Sequence, residues 1–338
     1  MWGRFFARRI LLLIPVLIGV SFIVFLTMHL TPGDPIEHML GQAGRITEEQ
    51  IEDLRAHYGL DRPFIVQYYL FLKNAVVGDF GVSYSHQGRR VSEIILERLP
   101  ATLELTLFAF IIALVFAIPA GVLASLRPQG AFDRGVTVAA LVGISVPGFW
   151  LGIILMIIFG VRLHLLPISG RIELWLAPET ITGLNTVDAL LRGRTDAFVS
   201  ALKHLLLPGI AMAAPMAAMV MRMVRSSMIG VLGQDYIQFA RAKGLPEYSV
   251  IGKHALRNAL IPTVNIVALQ TGLLLSGNMI IETVFQYPGL GKLAVDAIGA
   301  ADYPLVQAVV LIYAVSYVLL NLAADALHAV LDPRVRAL

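Results

Sequence analysis

The sequence predicts an all-α membrane protein with six transmembrane helices, and two observations lead to this fold class. The chain of 338 residues is 57% hydrophobic and only 14% charged, whereas soluble domains carry about 25% charged residues. Its apolar residues also gather in blocks near the length that crosses a bilayer, about 20 helical residues for a hydrocarbon core about 30 Å thick. The composition therefore argues against a soluble globular fold.

The first predicted span follows a basic N-terminus. Arg4, Arg8 and Arg9 precede its apolar run, as basic residues also do in a signal peptide. The run is long for a signal peptide, however, and residues 27–29 do not resemble a cleavage site. We therefore expect a retained anchor. The six predicted spans cover residues 10–30, 102–125, 135–161, 205–221, 260–281 and 305–327.

The distribution of Lys and Arg predicts the orientation of these spans. With the N-terminus in the cytoplasm, the inner segments carry more bases than acids and the outer segments carry more acids than bases. Short cytoplasmic loops are enriched in Lys and Arg, whereas long loops cross the membrane largely regardless of charge. We therefore expect both termini in the cytoplasm. The net charge of +3 is too small to indicate a nucleic-acid partner.

Residues 31–98 are predicted to form a small extracytoplasmic helical insertion. Residues 47–50 resemble a capping box, and Gly59 would end the helix that this box starts. A second helix is predicted from Phe64 to near Gly78. The outer loop that precedes the fourth span has mixed patterning, which predicts no particular fold.

Between the fourth and fifth spans, residues 233–262 form a basic segment that interrupts the apolar sequence. Asp235 is placed to cap a short helix and Gly244 to follow its end. Arg241 and Lys243 fall in the last turn of this helix, where cations interact favourably with the helix dipole. The pattern predicts a helix followed by a glycine corner on the cytoplasmic side.

A second short helix is predicted after this corner, with Pro246 at its first position. Lys253, His254 and Arg257 share one of its faces. Composition alone leaves two interpretations of the whole segment open. It is either a functional surface or a basic interfacial loop that satisfies the positive-inside rule.

Residues 240–245 have the sequence ARAKGL, and residues 254–262 have the sequence HALRNALIP. These stretches resemble the EAA loop of ABC-importer permeases, in the form found in the dipeptide and oligopeptide permease family. In that family the loop forms coupling helices that sit in a cleft of the cytoplasmic ATPase subunit. Gln238 stands where the general motif has its glutamate, and Phe239 replaces its first alanine. The resemblance assigns the coupling role to Asp235, Gln238, Phe239, Ala240, Arg241, Ala242, Lys243, Gly244, Leu245, His254, Arg257 and Asn258.

The resemblance extends along nearly the whole chain and is closest to the first of the two permease subunits. It implies the type I ABC importer permease fold. The further segments that match are 31–35, 78–83, 100–105, 166–171, 222–228, 287–292, 302–307 and 332–336. The domains expected from it are an N-terminal anchor (1–30), the extracytoplasmic insertion (31–98), the permease domain (99–328) and a cytoplasmic tail (329–338).

The resemblance also implies several partners in a bacterial or archaeal cytoplasmic membrane. These are a second homologous permease, two cytoplasmic ATPase subunits or domains, an extracytoplasmic solute-binding protein and the lipid bilayer. ATP and Mg are expected in the ATPase partners, with no cofactor in this chain. The sequence agrees, because residues 289–292 (GLGK) lack a Walker A pattern: Gln286 replaces its first glycine and Leu293 its Ser or Thr. The chain is therefore not expected to be an enzyme.

Interrupted helices within the spans predict a translocation pathway. Pro119, Pro147, Pro208 and Pro215 break helical hydrogen bonding, which membranes tolerate where protein or water satisfies the freed backbone groups. Gly148 and Gly152 are spaced for close contact between helices. The candidate pathway residues are Glu104, Ser145, Ser276 and Asn278. The alternative for the three neutral residues is a hydrogen bond between helices, and for Glu104 a structural role near the interface.

The sequence thus predicts a permease subunit of a binding-protein-dependent ABC importer for dipeptides or oligopeptides, forming half of the translocation pathway. In such importers, ATP binding closes the ATPase subunits, and this closure moves the coupling loops and switches the spans from inward-facing to outward-facing. Within transport, the alternative solutes are nickel, glutathione or an oligosaccharide. A membrane-embedded enzyme or receptor is the alternative from another class. It would require clustered His, Asp or Glu at the ends of several spans, which the sequence does not contain.

Overall fold

The computed structural model describes residues 2–30, 52, 53, 55, 56, 59–86 and 88–331, and within these ranges it describes the backbone alone for 2–13, 273, 275–278 and 324–331. The predicted capping box at 47–50 lies outside the described residues. The helices are α1 (Trp2–Leu30), α2 (Phe64–Val76), α3 (Val91–Leu126), α4 (Ala131–Ser145), α5 (Gly148–Leu155), α6 (Asn185–Leu191), α7 (Thr195–Leu232), α8 (Asp235–Ala242), α9 (Arg257–Val284), α10 (Leu290–Gly299) and α11 (Tyr303–Leu331). Over the described ranges the fold is helical, and extended pairing is limited to the isolated bridge between Val82 and Arg90.

The chain divides into two compact units. One comprises Met1–Pro100 and Pro288–Val318, and the other comprises Ala101–Tyr287 and Leu319–Leu338. This division groups 288–318 with the N-terminal hundred residues, whereas the sequence places it in the permease domain. The predicted functional domain boundaries stay a prediction.

In the first unit, aromatic packing joins α1 to α2. The rings of Phe25 and Phe64 lie 5.1 Å apart in an edge-to-face arrangement, a geometry that aromatic pairs favour. The Tyr68 hydroxyl donates to the carbonyl of Ile18 (3.0 Å). The predicted second helix of the insertion is confirmed: α2 begins at Phe64, and the chain turns at Gly78, where φ is +79°.

In the second unit, the long helix α7 lies at the centre and packs against α4, α5, α6 and α9. The sequence predicted only its apolar middle. On α3, alanines every four residues form a fully buried stripe, since this spacing returns to nearly the same helix face. Contact between α3 and α7 is close enough that a Cβ at Gly121 would lie 2.8 Å from the carbonyl oxygen of Met221.

Three described helices are long and apolar enough to cross a membrane: α3, α7 and the part of α11 from Tyr303 to Ala323. A fourth is present if α4 and the helical run Gly148–Arg162 form one span, and these two segments are bent by 106°. The predicted interruption at Pro147 and Gly148 is therefore confirmed, and the single span over 135–161 stays a prediction. The bend follows from Pro147, whose ring disfavours helical backbone at the preceding residue. Val146 accordingly adopts extended backbone, with ψ at +123°.

Candidate coupling loop and its supports

The first helix of the predicted coupling loop, α8, ends in a Schellman motif. Gly244 has a φ of +75°, which glycine adopts without steric cost. Its N–H donates to the carbonyl of Arg241 (2.9 Å), and the N–H of Leu245 donates to the carbonyl of Ala240 (3.4 Å). These bonds satisfy carbonyls that a helix end leaves without helical partners. The predicted glycine corner is confirmed.

Both helix starts in this loop lie one residue from their predicted positions. Gln234 is the N-cap of α8, so Asp235 is the first helical residue and not the cap. Pro246 is likewise the residue before the helical turn Glu247–Ser249, not its first member. Neither cap forms a side-chain hydrogen bond. Asp235 instead carries its charge in the first turn, where an anion favours the helix dipole.

The second short helix is continuous with the fifth predicted span. The turn Glu247–Ser249 passes into a π-helical segment, Val250–Leu256, which leads directly into α9. Segments of π-helix are rare and are frequent at functional sites. Because no loop separates them, a displacement of the corner acts directly on α9.

Small and apolar side chains hold the loop against the rest of its unit. Ile237, Val250, Ala255 and Ala259 are fully buried, and Ala240 is 7% exposed. They join the hydrophobic core that α7 and α9 form. The position of the corner is therefore fixed by packing on one face, which leaves the other face free to bind a partner.

Three polar contacts brace the outer side of the corner. Arg241 and Glu247 form a two-bond ion pair across Gly244, with Nη2 and Oε1 2.6 Å apart. Hydrogen bonding to this guanidinium lowers the pKa of the Glu247 carboxyl below its ordinary value. Both side chains are about half exposed, so the pair contributes little to stability.

The other two braces involve aromatic side chains. Lys243 Nζ lies 4.6 Å from the centre of the Phe239 ring, a distance at which the ring quadrupole attracts a cation. Asn258 Nδ2 donates to the Tyr236 hydroxyl (2.8 Å), which links α9 back to α8. These contacts orient side chains that the solvent otherwise surrounds.

The outward face of the loop combines apolar and basic groups. Residues 241–248 are all exposed, and the large apolar side chains of Phe239 and Tyr248 are 61% and 81% exposed. A cleft with apolar walls and acidic edges would complement such a face. Of the predicted coupling residues, those exposed are Asp235, Gln238, Phe239, Arg241, Ala242, Lys243, Gly244, Leu245, Arg257 and Asn258, while His254 is half-buried and Ala240 is buried.

An ion pair that the sequence alone does not indicate supports this loop. The buried carboxylate of Asp133, in the first turn of α4, accepts hydrogen bonds from Nε and Nη2 of Arg225 on α7. It also accepts the N–H of Gln129 (2.7 Å), a residue with φ of +64°. Arg225 lies two turns before the end of α7, which leads into α8. The pair thus ties the start of α4 to the helix that carries the loop.

The candidate pathway residue Glu104 lies at a second buried polar cluster. Its carboxylate accepts hydrogen bonds from Arg171 Nε and Nη2 (2.9 and 2.6 Å) and from the N–H and hydroxyl of Thr186 (both 2.7 Å). The Tyr287 hydroxyl lies 3.5 Å away, and burial raises the pKa of that hydroxyl. This geometry favours the structural alternative for Glu104, and its contact with solute stays a prediction.

The other predicted pathway residues are described less fully. Ser145 is exposed at the end of α4, beside the bend at Pro147. Ser276 and Asn278 lie on α9, and their side chains lie outside the described residues. The predicted close contacts of Gly148 and Gly152 are confirmed, because a Cβ on either would come within about 3 Å of a neighbouring atom.

Comparison with protein families decides the nature of the chain. Residues 117–337 match the family described as "Binding-protein-dependent transport system inner membrane component", and residues 2–106 match the N-terminal family of membrane components of the same systems. The chain belongs to this family. As an inner membrane component of such a system, it is a permease subunit and not itself an enzyme.

Curated relatives match this inner membrane component along nearly its whole length. It is 41% identical to the "Di/tripeptide transport system permease protein DppB" of Pseudomonas aeruginosa, over 98% of both chains. It is also 41% identical to the "Dipeptide transport system permease protein DppB" of Escherichia coli, again over 98% of both chains. The "Oligopeptide transport system permease protein AppB" of Bacillus subtilis is 40% identical over 98% of this chain and 99% of the relative.

A solved structure shares the fold. A chain of the MetNI methionine ABC transporter, solved in inward-facing conformations, aligns with 71% of this chain and 97% of its own length. The TM-score is 0.53 and the sequence identity is 17%. At this identity the likeness concerns the fold alone. It places the helical arrangement among those of ABC transporters.

Proposed function

We propose that this chain is the permease subunit of an ATP-driven, binding-protein-dependent importer of dipeptides or oligopeptides. The observation that carries the proposal is the 41% identity to dipeptide permease subunits over 98% of both chains. The alternatives of nickel, glutathione or an oligosaccharide have no such support, because the relatives named above transport peptides according to their names. The chain provides half of the translocation pathway.

The proposed architecture is the type I importer fold with six spans and both termini in the cytoplasm. The three apolar helices, the bent pair and the shorter apolar helix Ile14–Leu30 support this arrangement. The apolar middle of α9 supplies the remaining span. The anchor (1–30), the insertion (31–98), the permease domain (99–328) and the tail (329–338) are its proposed domains.

The proposed partners follow from this function. They are a second permease, two ATPase subunits or domains that bind ATP and Mg, and an extracytoplasmic solute-binding protein, assembled in the cytoplasmic membrane. The exposed face of the coupling loop docks on the ATPase, with Phe239 and Tyr248 as apolar contacts. Gln238 is exposed beside Phe239 and makes its contact without a charge.

Peptide uptake by the reconstituted system tests the proposal. The chain is expressed with the other subunits of its system in cells that lack peptide importers, and the uptake of radiolabelled Leu-Leu and Gly-Gly is measured. We expect ATP-dependent uptake that requires all subunits. Uptake of nickel but of neither peptide would refute the proposal.

A single-cysteine experiment tests the proposed orientation, because the chain contains no cysteine. A cysteine at Thr180 should react with a membrane-impermeant thiol reagent applied to intact cells. A cysteine at Gln129 should react only after the membrane is opened. Labelling at Gln129 in sealed cells would contradict the orientation and the cytoplasmic position of the coupling loop.

A further inference from the structure

A helix break and a proline within a continuous helix meet at one place inside the second unit. The bend between α4 and α5 falls at Pro147 and Gly148, and α7 contains Pro215. A proline has no N–H, so Pro215 leaves the Ala211 carbonyl without its ordinary helical donor. That oxygen faces Gly148, where an added Cβ would lie 3.0 Å from it. The close approach of the two backbones therefore leaves little room for a side chain at 148.

A cavity of about 210 Å³ opens beside this junction. The residues that line it include Gly148, Phe149, Met212, Met216, Gln270 and Leu274. Among these described lining residues, Gln270 carries the one polar side chain, and two methionines supply adaptable apolar surface. Pockets for drug-sized ligands have volumes of about 300–1,000 Å³, so this cavity is sized for one side chain and not for a whole peptide.

The cavity also lies near the middle of the predicted spans. Gly148, Met212 and Gln270 each fall near the middle of a predicted span. Irregular backbone at membrane depth is tolerated only where it is buried in protein or lines a cavity. In secondary transporters, spans interrupted by Gly or Pro indicate the solute site, and the break at Pro147 and Gly148 is an interruption of this kind.

We propose that this cavity is a solute subsite that receives an apolar side chain of the transported peptide, while the Gln270 amide hydrogen-bonds the peptide backbone. The inference rests on the proposed import of peptides and adds a selectivity to it. An amide that both donates and accepts suits a peptide bond, which offers an N–H and a C=O. The apolar walls favour a leucine-like side chain over a glycine through burial of apolar surface.

Relative uptake of two peptides tests this selectivity. Phe149 is 40% exposed and lines the cavity, so its side chain is replaceable with little effect on folding. Uptake of Leu-Leu and Gly-Gly is measured in the complete importer, with each peptide at a concentration that saturates the binding protein. Phe149→Trp fills the cavity, and we expect it to lower the ratio of Leu-Leu to Gly-Gly uptake about tenfold. Trp150→Ala, at an exposed neighbour that does not line the cavity, should leave the ratio unchanged.

Thiol labelling gives a second test that does not depend on the transport rate. Met212→Cys, which lines the same cavity and keeps the Gln270 amide, is introduced into the cysteine-free chain, and its reaction with a small thiol reagent is followed on this subunit after gel separation. Leu-Leu delivered by the binding protein should slow the reaction several-fold and Gly-Gly should slow it less. Thr180→Cys, at an exposed site in the outer loop, should react equally with and without peptide.

The outcomes of these tests distinguish a failure of the proposed subsite from a failure of the proposed function. A lowered ratio or selective protection by Leu-Leu supports the subsite. If the wild type takes up peptides, but the ratio is unchanged in Phe149→Trp and peptide gives no protection at position 212, the subsite is overturned and the proposed importer function stands. Absence of uptake of both peptides by the wild type overturns the proposed function itself, and the subsite with it.

Discussion

Arg225 holds Asp133 through two hydrogen bonds and so joins α7 to the first turn of α4. Asp133 is only 3% exposed, and a buried carboxylate is costly unless it is paired and hydrogen-bonded. Its third bond, from the Gln129 N–H, stabilises the turn between α3 and α4. The ion pair therefore fixes the position of the helix that leads into the coupling loop.

Removal of one member of this pair should destabilise the protein. Asp133→Asn leaves the Arg225 guanidinium partly buried without its counter-charge, and we expect the melting temperature in detergent to fall on the order of 5 °C. Exchange of the two charges in a double variant should recover only part of the loss, because Gln129 then loses its acceptor. Arg222→Gln, at an exposed position on the same helix, is the control and should leave the melting temperature unchanged. An unchanged melting temperature in Asp133→Asn would contradict the supporting role of the pair.

The left-handed backbone of Gly244 predicts a graded series of variants. An added Cβ would meet no atom within 4 Å, so the penalty comes from φ alone, roughly 1 kcal/mol for most side chains. Gly244→Val should insert normally but lose most of the ATPase stimulation by the loaded binding protein. Gly244→Asn should retain more activity, because asparagine tolerates this conformation. Gly252→Ala is the matched control, since Gly252 also has open space but no positive φ. Equal stimulation in all three variants would show that the corner is not a coupling element.

Two local features of the fold could be predicted from the sequence. The end of α8 at Gly244, in the coupling loop, and the bend at Pro147, in the third predicted span, depend on the intrinsic backbone preferences of single residues. The helix starts were misplaced by one residue, because Gln234 and Pro246 cap without the side-chain bond that identifies a cap. The continuity of the loop with α9 was also missed, since packing sustains the helix through Pro262.

The two buried ion pairs could not be predicted from the sequence, because their members are far apart in the chain. Asp133 and Arg225 are 92 positions apart, and Glu104 and Arg171 are 67 apart. Without the structure, a charged residue near a span is interpreted as a signal of orientation or as a pathway residue, because its ion-pair partner is not known. Glu104 drew attention as an acid in an apolar helix, but nothing in the sequence connected it to Arg171, Thr186 or Tyr287.

The bonds of Glu104 predict that its loss acts on stability more than on transport chemistry. Glu104→Gln keeps the shape but leaves Arg171 without an ionic partner, which costs about 3 kcal/mol for a buried pair. The double variant with Arg171→Met should be less destabilised than the sum of the single variants, because the residues act as one unit. Thermal unfolding measures both effects. A Glu104→Gln variant with normal melting temperature and abolished uptake would instead support its place in the pathway.

The carboxylate of Asp188, on α6, predicts a pH dependence of the stability of the loop that precedes α7. Burial raises its pKa, but hydrogen bonds from Thr182 and from the N–H groups of Ile181 and Gly183 outweigh this and hold the pKa below its ordinary value. A lowered folded pKa means that the stabilisation is complete above the unfolded value near 3.8 and is lost as the pH falls through the folded value. The difference in melting temperature between wild type and Asp188→Asn should therefore be constant near neutral pH and shrink in acid. Asp196→Asn is the control: its ion pair is exposed, so the difference in melting temperature from the wild type should be small at every pH. A difference that grows in acid would contradict this assignment.

Adjacent residues on α8 predict opposite phenotypes. Phe239 is 61% exposed and Ala240 is 7% exposed and packed in the core, so one faces the proposed ATPase and the other faces its own chain. Phe239→Ala should leave the melting temperature of the isolated subunit unchanged, since little of the ring is buried within the chain. It should weaken co-purification of the ATPase subunits and lower ATPase stimulation about tenfold, as expected for an aromatic anchor at an interface.

Ala240→Trp should, in contrast to Phe239→Ala, destabilise the isolated subunit. A large side chain forced into a packed core displaces the corner, and overpacking of this kind costs typically 1–3 kcal/mol. The isolated subunit should therefore unfold at a lower temperature before any partner is added. The two melting temperatures, measured side by side on detergent-purified subunits, test which face of α8 is the docking face. If Ala240→Trp is as stable as the wild type and Phe239→Ala is destabilised, the helix presents the opposite face, and docking through Phe239 is wrong.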